Sequence, residues 1–257
     1  MALAISFETG GAAAAPPARV ASLNLCTDEL LLLLAAPEQI ASVTHLARNR
    51  DESPFWRLSR SYWANDGSVL SVAGLRPDLI VSMGGPARDR ARLAARIGAR
   101  YLRLPFPSSI EELVAGIRSV ASALGRDARG RALIARLRRL ESTAPANRVE
   151  GVFLSGGGFT QPPGSLGAQW LALAGIATPP DIGARMPAER LAIDPPDLVI
   201  RSRYRAGQTS RAQDWIGFRF LERSPGTRMI ATDGRLWTCA GPGLVAEIER
   251  LRAEISR

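Results

Sequence analysis

Short apolar runs alternate with helical segments along most of this sequence, and the alternation restricts the possible folds more than any other feature. The strand-like runs are residues 20–25, 40–46, 75–83, 100–106, 150–156, 195–202 and 234–241. Helical patterns separate them, as in the leucine-rich residues 28–36, which Thr27 or Asp28 is placed to cap, and in 89–99, which ends at Gly98. Strands that alternate with helices pair in parallel, so the sequence predicts an α/β fold with doubly wound sheets.

One long helical stretch interrupts this alternation. Residues 109–143 have a nearly continuous helical pattern with Gly125 as its one clear break, and residues 127–142 carry apolar residues on one face and arginines on the other. Strand and helix alternate again after this stretch, with helical patterns at 165–175 and 243–256 and a helix or loop at 213–225. We therefore predict two α/β lobes, at residues 19–125 and 146–257, joined by a connecting helix at 126–145.

The composition is that of a soluble globular chain. It has 257 residues, of which 46% are hydrophobic, and no run approaches the ~18 apolar residues that span a membrane. All 33 basic residues are arginines, and the formal charge is +9. The arginines are spread along many helices rather than gathered beside aromatic residues, which indicates a solvated basic surface and no nucleic-acid partner.

The N-terminal residues 1–18 fit no complete targeting signal. They contain an alanine tract but no basic start, and the apolar run at residues 2–5 is too short for the central region of a signal peptide. We interpret this segment as the remnant of a leader or as disordered.

The chain has few cysteines and histidines, the ligands that transition metals prefer. Cys26 and Cys239 are the only cysteines and are 213 positions apart, which excludes a zinc cluster with short ligand spacing. His45 is the only histidine, so a site built from several imidazoles is also excluded. The sequence predicts neither a metal site nor a cofactor of the protein itself.

The order and spacing of several segments carry a family resemblance. The segments are RVASLNLCTDELLLLLAAPEQIASVTHLA, LRPDLIVS, the long helix, DPPDLVI, and RLWTCAGPG before a C-terminal helix. This series, over about residues 19–256, resembles the periplasmic substrate-binding proteins of iron-siderophore and cobalamin ABC importers. The resemblance implies two Rossmann-like lobes held by a backbone helix, with a cleft between the lobes for a bulky metal chelate. It also implies a periplasmic monomer without enzymatic activity that delivers its ligand to an ABC permease and its ATPase.

Ligands of open parallel sheets bind outside the carboxyl ends of the strands, so the loops after the strands should face the cleft. This rule predicts ligand contacts from Asn24, Leu25, Cys26, Thr27, Arg48, Met83 and Phe106 in the first lobe, and from Ser155, Phe159, Arg203, Tyr204 and Cys239 in the second. A disulfide between the two cysteines would need Cα atoms within ~7 Å and would clamp the cleft shut, so we expect free or separately buried thiols.

Aromatic and basic residues add to this predicted site. Trp56, Tyr62 and Trp63 lie in the polar segment 53–68, which we interpret as a loop whose rings stack on a macrocycle or catechol, although single rings could equally fasten the loop to the protein. Arg48, Arg203 and Arg205 could neutralise an anionic chelate. By contrast, Trp170 and Trp237 lie in apolar patterns typical of core. The glycines of SGGGF at 155–159 do not match a phosphate-binding loop.

Members of the family dock on their permease through one acidic residue on each lobe. Glu189 stands in the matching place of the second lobe, but Leu70 occupies that place in the first, where Asp66 could substitute. This departure keeps a stand-alone sensor open as an alternative. An α/β enzyme is a second alternative, although no paired carboxylates, Ser-His-Asp set or phosphate loop stands out.

Overall fold

The computed structural model describes residues 15–85, 87–204 and 215–257. Its first lobe is a five-stranded parallel sheet with the strand order β3-β2-β1-β4-β5. The strands are β1 (Val20–Ser22), β2 (Ile40–Thr44), β3 (Trp63–Asn65), β4 (Leu79–Met83) and β5 (Arg100–Leu104). The helices of this lobe are α1 (Leu25–Leu34), α2 (His45–Arg48), α3 (Trp56–Ser59), α4 (Val69–Val72) and α5 (Ala87–Arg96).

Both faces of this sheet are covered. In β4, Leu79 and Val81 belong to the main hydrophobic core with the leucines of α1, whereas Ile80 belongs to a separate cluster with residues of α4 and α5. Side chains alternate between the faces of a strand, so a central strand that is buried along its whole length has a layer of helices on each side.

Two antiparallel helices follow the first lobe. They are α6 (Ile110–Ala123) and α7 (Asp127–Ser142), and the turn between them contains Gly125 at φ +66°. The predicted helix break at Gly125 is thus confirmed. The two helices approach closely where Gly130 faces Ala121, because a Cβ atom added to Gly130 would lie 2.5 Å from the Ala121 Cβ. We call α6 and α7 together the spine.

The second lobe has a three-stranded parallel sheet in the order β10-β9-β7 and a two-stranded parallel sheet of β6 and β8. The strands are β6 (Val149–Glu150), β7 (Val152–Leu154), β8 (Ile176–Ala177), β9 (Leu198–Arg203) and β10 (Arg228–Asp233). The helices are α8 (Leu166–Leu173), α9 (Ala188–Ile193), α10 (Ile216–Glu222), α11 (Gly234–Cys239) and α12 (Leu244–Ile255). Short 3-10 turns lie at Pro37–Gln39, Ala73–Leu75 and Gly156–Gly158.

The main core runs through the spine and joins the two lobes. It includes Val43 of the first sheet, Leu113 and Leu137 of the spine, and Trp170 and Ile200 of the second lobe. Trp237 is buried in the same core, so the prediction of core positions for Trp170 and Trp237 is confirmed. The predicted fold class, two α/β lobes joined by one long helix, is confirmed as well, and α7 is that helix.

Three local predictions are wrong. Residues 234–239 form helix α11, not a strand, because the strand ends at Asp233, whose side chain accepts a hydrogen bond from the Arg235 backbone and caps the helix. Asn24, rather than Thr27 or Asp28, caps α1. The segment 53–68 contains α3 and β3 and is therefore not a loop throughout.

Among the helices of the described ranges, none combines the length and apolar character needed to cross a membrane.

Candidate functional site

The carboxyl ends of β1, β4 and β5 meet at one edge of the first sheet. The Asn24 side chain accepts a hydrogen bond from the Thr27 backbone at 2.9 Å and donates one to the Met83 carbonyl at 2.7 Å, which ties the loop after β1 to the end of β4. The Phe106 ring lies over Gly84, where an added Cβ atom would be 2.2 Å from a ring carbon. Phe106 is 64% exposed, so it presents an aromatic face beside these polar groups.

The corresponding edge of the second lobe carries a second exposed ring. Phe159 follows β7 and is 53% exposed, and its carbonyl accepts a hydrogen bond from the Ser155 backbone at 2.8 Å. The Arg185 guanidinium stacks 4.8 Å from the Phe159 ring centroid and donates a hydrogen bond to the Gly157 carbonyl at 2.9 Å. An aromatic ring and a cation thus lie side by side at this edge.

The carboxyl ends of the two sheets face each other. Tyr204, directly after β9, donates a hydrogen bond from its hydroxyl to the Glu52 carboxylate of the first lobe at 2.5 Å. Arg235, held by the Asp233 carboxylate after β10, donates to the Arg50 carbonyl at 2.5 Å. The loops after the strands of both lobes therefore meet along one seam, as the strand-end rule requires.

Cys26 and Cys239 form a disulfide across this seam, with Cα atoms 5.2 Å apart. The expectation of free or separately buried thiols is therefore wrong. It assumed that each cysteine stands at a strand end on an opposite wall of the cleft. Instead, Cys26 lies in the first turn of α1 and Cys239 in the last turn of α11, and these two helices are in contact. The bond joins the lobes where they already touch.

Two buried carboxyl groups lie on α1 next to the disulfide. Burial raises the pKa of Asp28 to about 6, although hydrogen bonds from Thr44 lower it in part. Burial also raises the pKa of Glu29 to about 7, and a hydrogen bond from the Gly243 backbone at 2.7 Å lowers it in part. The sequence predicts Asp28 only as a possible cap and gives Glu29 no role, although two acids inside a helix too leucine-rich to be exposed are a usable signal.

Trp56, Tyr62 and Trp63, the three rings predicted to contact a ligand, differ in environment. Trp56 is half-buried under the guanidinium groups of Arg57 and Arg60, at 5.1 and 5.6 Å. Tyr62 packs against the main core. Trp63 is 62% exposed on the edge strand β3, paired with the middle of β2 rather than placed after a strand. Contact of these rings with a ligand stays a prediction.

The remaining predicted contacts lie around the seam. Leu25 is half-buried against the core, Arg48 is exposed at the end of α2, and Arg203 is exposed at the end of β9. Arg205 and residues 1–14 lie outside the described residues.

Both candidate docking carboxylates are exposed. Glu189 lies in the first turn of α9, and Asp66 follows β3, where its carboxylate accepts a hydrogen bond from the Ser68 backbone at 2.8 Å. Leu70, in α4, is 69% exposed. The first lobe therefore presents an apolar side chain at the position where the resemblance implies an acidic one.

No cluster of three or more histidine, cysteine or acidic side chains that could hold a metal ion occurs in residues 15–85, 87–204 and 215–257. A cavity of about 450 Å³ lies in the spine, lined by residues that include Ala121, Gly130 and Ile134. It is separate from the seam and forms no part of the candidate site.

The architecture described above is that of the bilobal periplasmic binding proteins. The heme-binding protein HutB of Vibrio cholerae superposes with a TM-score of 0.71 at 17% identity, over 93% of this chain and 99% of HutB. The heme-binding protein RhuT of a Roseiflexus species gives 0.66 at 20% identity, over 91% and 96%. Helicobacter pylori CeuE, solved with Ni(II) bound, gives 0.65 at 14% identity, over 92% and 83%.

At these identities the likenesses establish the fold. No protein-family model matches the chain, and no curated protein matches it significantly.

Proposed function

We propose that this protein is a periplasmic solute-binding protein that captures a bulky metal chelate between its lobes and delivers it to an ABC permease. The chelate class includes ferric siderophores, corrinoids and heme. The protein contributes binding and positioning only and carries out no reaction on the ligand. The proposal agrees with the family resemblance of the sequence and with the fold that the chain shares with periplasmic proteins that bind heme or nickel.

One observation carries the proposal: the strand ends of two separate sheets meet along a seam that has exposed aromatic rings on both sides. Phe106 and Phe159 are more than half exposed at the strand ends, although a ring of this size is normally buried. Large apolar side chains left in solvent beside a groove are typical of a surface that covers a ligand.

The charges beside the rings indicate the kind of chelate. Arg185 stacks on Phe159, the exposed Arg48 ends α2 of the first lobe, and the exposed Arg203 ends β9 of the second. Ferric complexes of catecholate or carboxylate ligands carry negative charge on a broad, partly aromatic surface. Guanidinium groups next to aromatic faces fit such a surface, because they form charge-assisted hydrogen bonds while the rings stack.

Binding can be measured directly with a panel of hemin, cyanocobalamin and ferric siderophores, read by quenching of tryptophan fluorescence. We expect at least one member of the panel to bind. We also expect Phe106→Ala and Phe159→Ala each to weaken that binding about tenfold, the effect of losing roughly 1.4 kcal/mol of ring contact. Val149→Ala is the matched control, because Val149 is also an exposed apolar residue but begins strand β6 and does not follow the end of a strand. No binding across the panel, or equal losses in all three variants, would contradict the proposal.

Delivery requires a surface that the permease recognises, and we propose that Glu189 of the second lobe is part of it. The charge reversal Glu189→Arg should leave chelate binding unchanged and reduce stimulation of the cognate ATPase in a reconstituted transporter. Asp66→Arg tests the first lobe in the same assay. If neither reversal alters the ATPase while the chelate still binds, the stand-alone sensor, which the exposed Leu70 favours, becomes the better assignment.

A further inference from the structure

The segment of the second lobe from Cys239 to Gly243 is seated on one face of α1. Cys26 and Glu29 are three residues apart in α1, so they project from the same side of the helix. The disulfide holds Cys239 at this face, and the Glu29 carboxylate accepts the Gly243 backbone hydrogen bond at 2.7 Å. A Cβ atom added to Gly241 would stand 2.5 Å from a Glu29 carboxylate oxygen. We call residues 239–243 the latch segment.

The latch segment is firmly connected to the second lobe. The indole of Trp170, fully buried in the core of that lobe, donates a hydrogen bond to the Ala240 carbonyl at 2.8 Å. A displacement of Cys239 is therefore transmitted to the packed interior of the second lobe.

The other end of the disulfide lies in the candidate ligand site. Cys26 stands between Asn24, which is bonded to the end of β4, and Thr27, which is buried and bonded to Asn24. The same turn of α1 therefore builds the first-lobe loop and anchors the second lobe. Breaking the bond should therefore change the distance between the first-lobe loop and the second lobe.

If the disulfide is broken, the described contacts that still cross the seam are non-covalent and therefore weaker than that bond. They include the hydrogen bonds from Gly243 to Glu29, from Tyr204 to Glu52 and from Arg235 to the Arg50 carbonyl. The spine and the continuous core still hold the lobes together. Both cysteines are only half-buried, so a small thiol can approach them.

We infer that the Cys26–Cys239 disulfide is a redox-sensitive latch that holds the two lobes together along the seam. A dithiol reductant breaks the sulfur–sulfur bond by supplying two electrons and two protons. It leaves two thiols on the protein and closes to its own disulfide. The latch segment then separates from α1, and the seam opens without unfolding of either lobe. The effect on the ligand rests on the proposed function, whereas the opening of the seam does not.

Hydrogen–deuterium exchange tests the opening on the whole chain, oxidised and after reduction by dithiothreitol, with the thiols counted by mass. Within the first minutes we expect exchange in peptides covering 24–30 and 239–244 to rise about tenfold on reduction, while β4 and β5 stay protected. Cys239→Ser should reproduce this pattern without a reductant. Gly130→Ala, which disturbs the spine and not the seam, should not reproduce it.

The ligand effect is measured separately with hemin as the probe. Reduction should change hemin affinity by about tenfold, and reoxidation should restore the original value. If hemin binds neither the oxidised nor the reduced protein, heme is not the ligand. The exchange experiment then tests the latch by itself. Unchanged exchange at 24–30 and 239–244 with two thiols present would overturn the latch. Loss of far-ultraviolet circular dichroism on reduction would also overturn it, because the bond would then hold the fold rather than the seam.

Discussion

Glu29 is an acidic residue whose burial changes its protonation. Its carboxyl group is buried between α1 and the latch segment, and burial raises its pKa from 4.5 to about 7. Between these values the unfolded chain releases the proton while the folded protein keeps it. The free energy of unfolding should therefore fall as the pH rises from about 4.5 to about 7, and be lowest above that range.

The substitution Glu29→Gln removes this titration and keeps an oxygen that can accept the Gly243 hydrogen bond. We expect the variant to lose much of the decline, with the raised pKa of Asp28 accounting for the rest below about pH 6, and to be more stable than the wild type at pH 8 by about 1–3 kcal/mol. Urea unfolding at pH 5, 6, 7 and 8 measures the effect. Glu189→Gln, at an exposed carboxylate, serves as the control and should follow the wild type. Parallel curves for Glu29→Gln and the wild type would show that the Glu29 carboxyl group is not perturbed.

Among the elements, the spine depends on one close contact between its helices. Gly130 lies in α7 where an added Cβ atom would be 2.5 Å from the Ala121 Cβ, whereas Gly116 in α6 has nothing within 4 Å. Alanine favours a helix over glycine by about 1 kcal/mol when space is available. Gly116→Ala should therefore stabilise the protein by about 0.5–1 kcal/mol.

The same substitution at Gly130 should have the opposite sign. Gly130→Ala forces α6 and α7 apart, and overpacking of this kind costs about 1–3 kcal/mol. Thermal unfolding of the two variants beside the wild type measures both effects. Equal shifts in the same direction would mean that the two helices are not in contact at Gly130.

The elements that could be predicted from the sequence are those with a strong local signal. The dense leucines predict helix α1. The conformational freedom of Gly125 predicts the break between α6 and α7. The predicted strand at 234–241 is wrong because a run of eight residues is too short for its period to separate strand from helix. The Asp233 cap was the better signal, since it marks a helix start whatever the run that follows.

At the scale of the whole molecule, the disulfide closes a loop of 213 residues. Cross-linking so long a loop restricts the unfolded chain, and the loss of such a bond typically costs about 2–5 kcal/mol. We expect the double variant Cys26→Ala, Cys239→Ala to be less stable than the oxidised wild type by an amount in this range, measured by urea unfolding. The dithiothreitol-reduced wild type should match the variant. A difference below about 0.5 kcal/mol would show that the bond contributes nothing to the stability of the fold.

The contacts between the lobes could be predicted only in part. The strand-end rule correctly brings Tyr204 and the loop after β2 to the same seam, because the topology of parallel sheets determines which loops share an edge. It carries no information on distances between residues far apart in sequence, so it left Cys26 and Cys239 unpaired. It also gave no reason to place Glu29 under Gly243. Such pairings depend on how the helices of the two lobes pack, which no local pattern records.

The bond between Cys26 and Cys239 also closes most of the backbone into a covalent ring. A protease that cuts once anywhere between these two positions opens the ring without releasing a fragment. Nicked protein would therefore migrate as one species on a non-reducing gel and as two bands after a thiol is added.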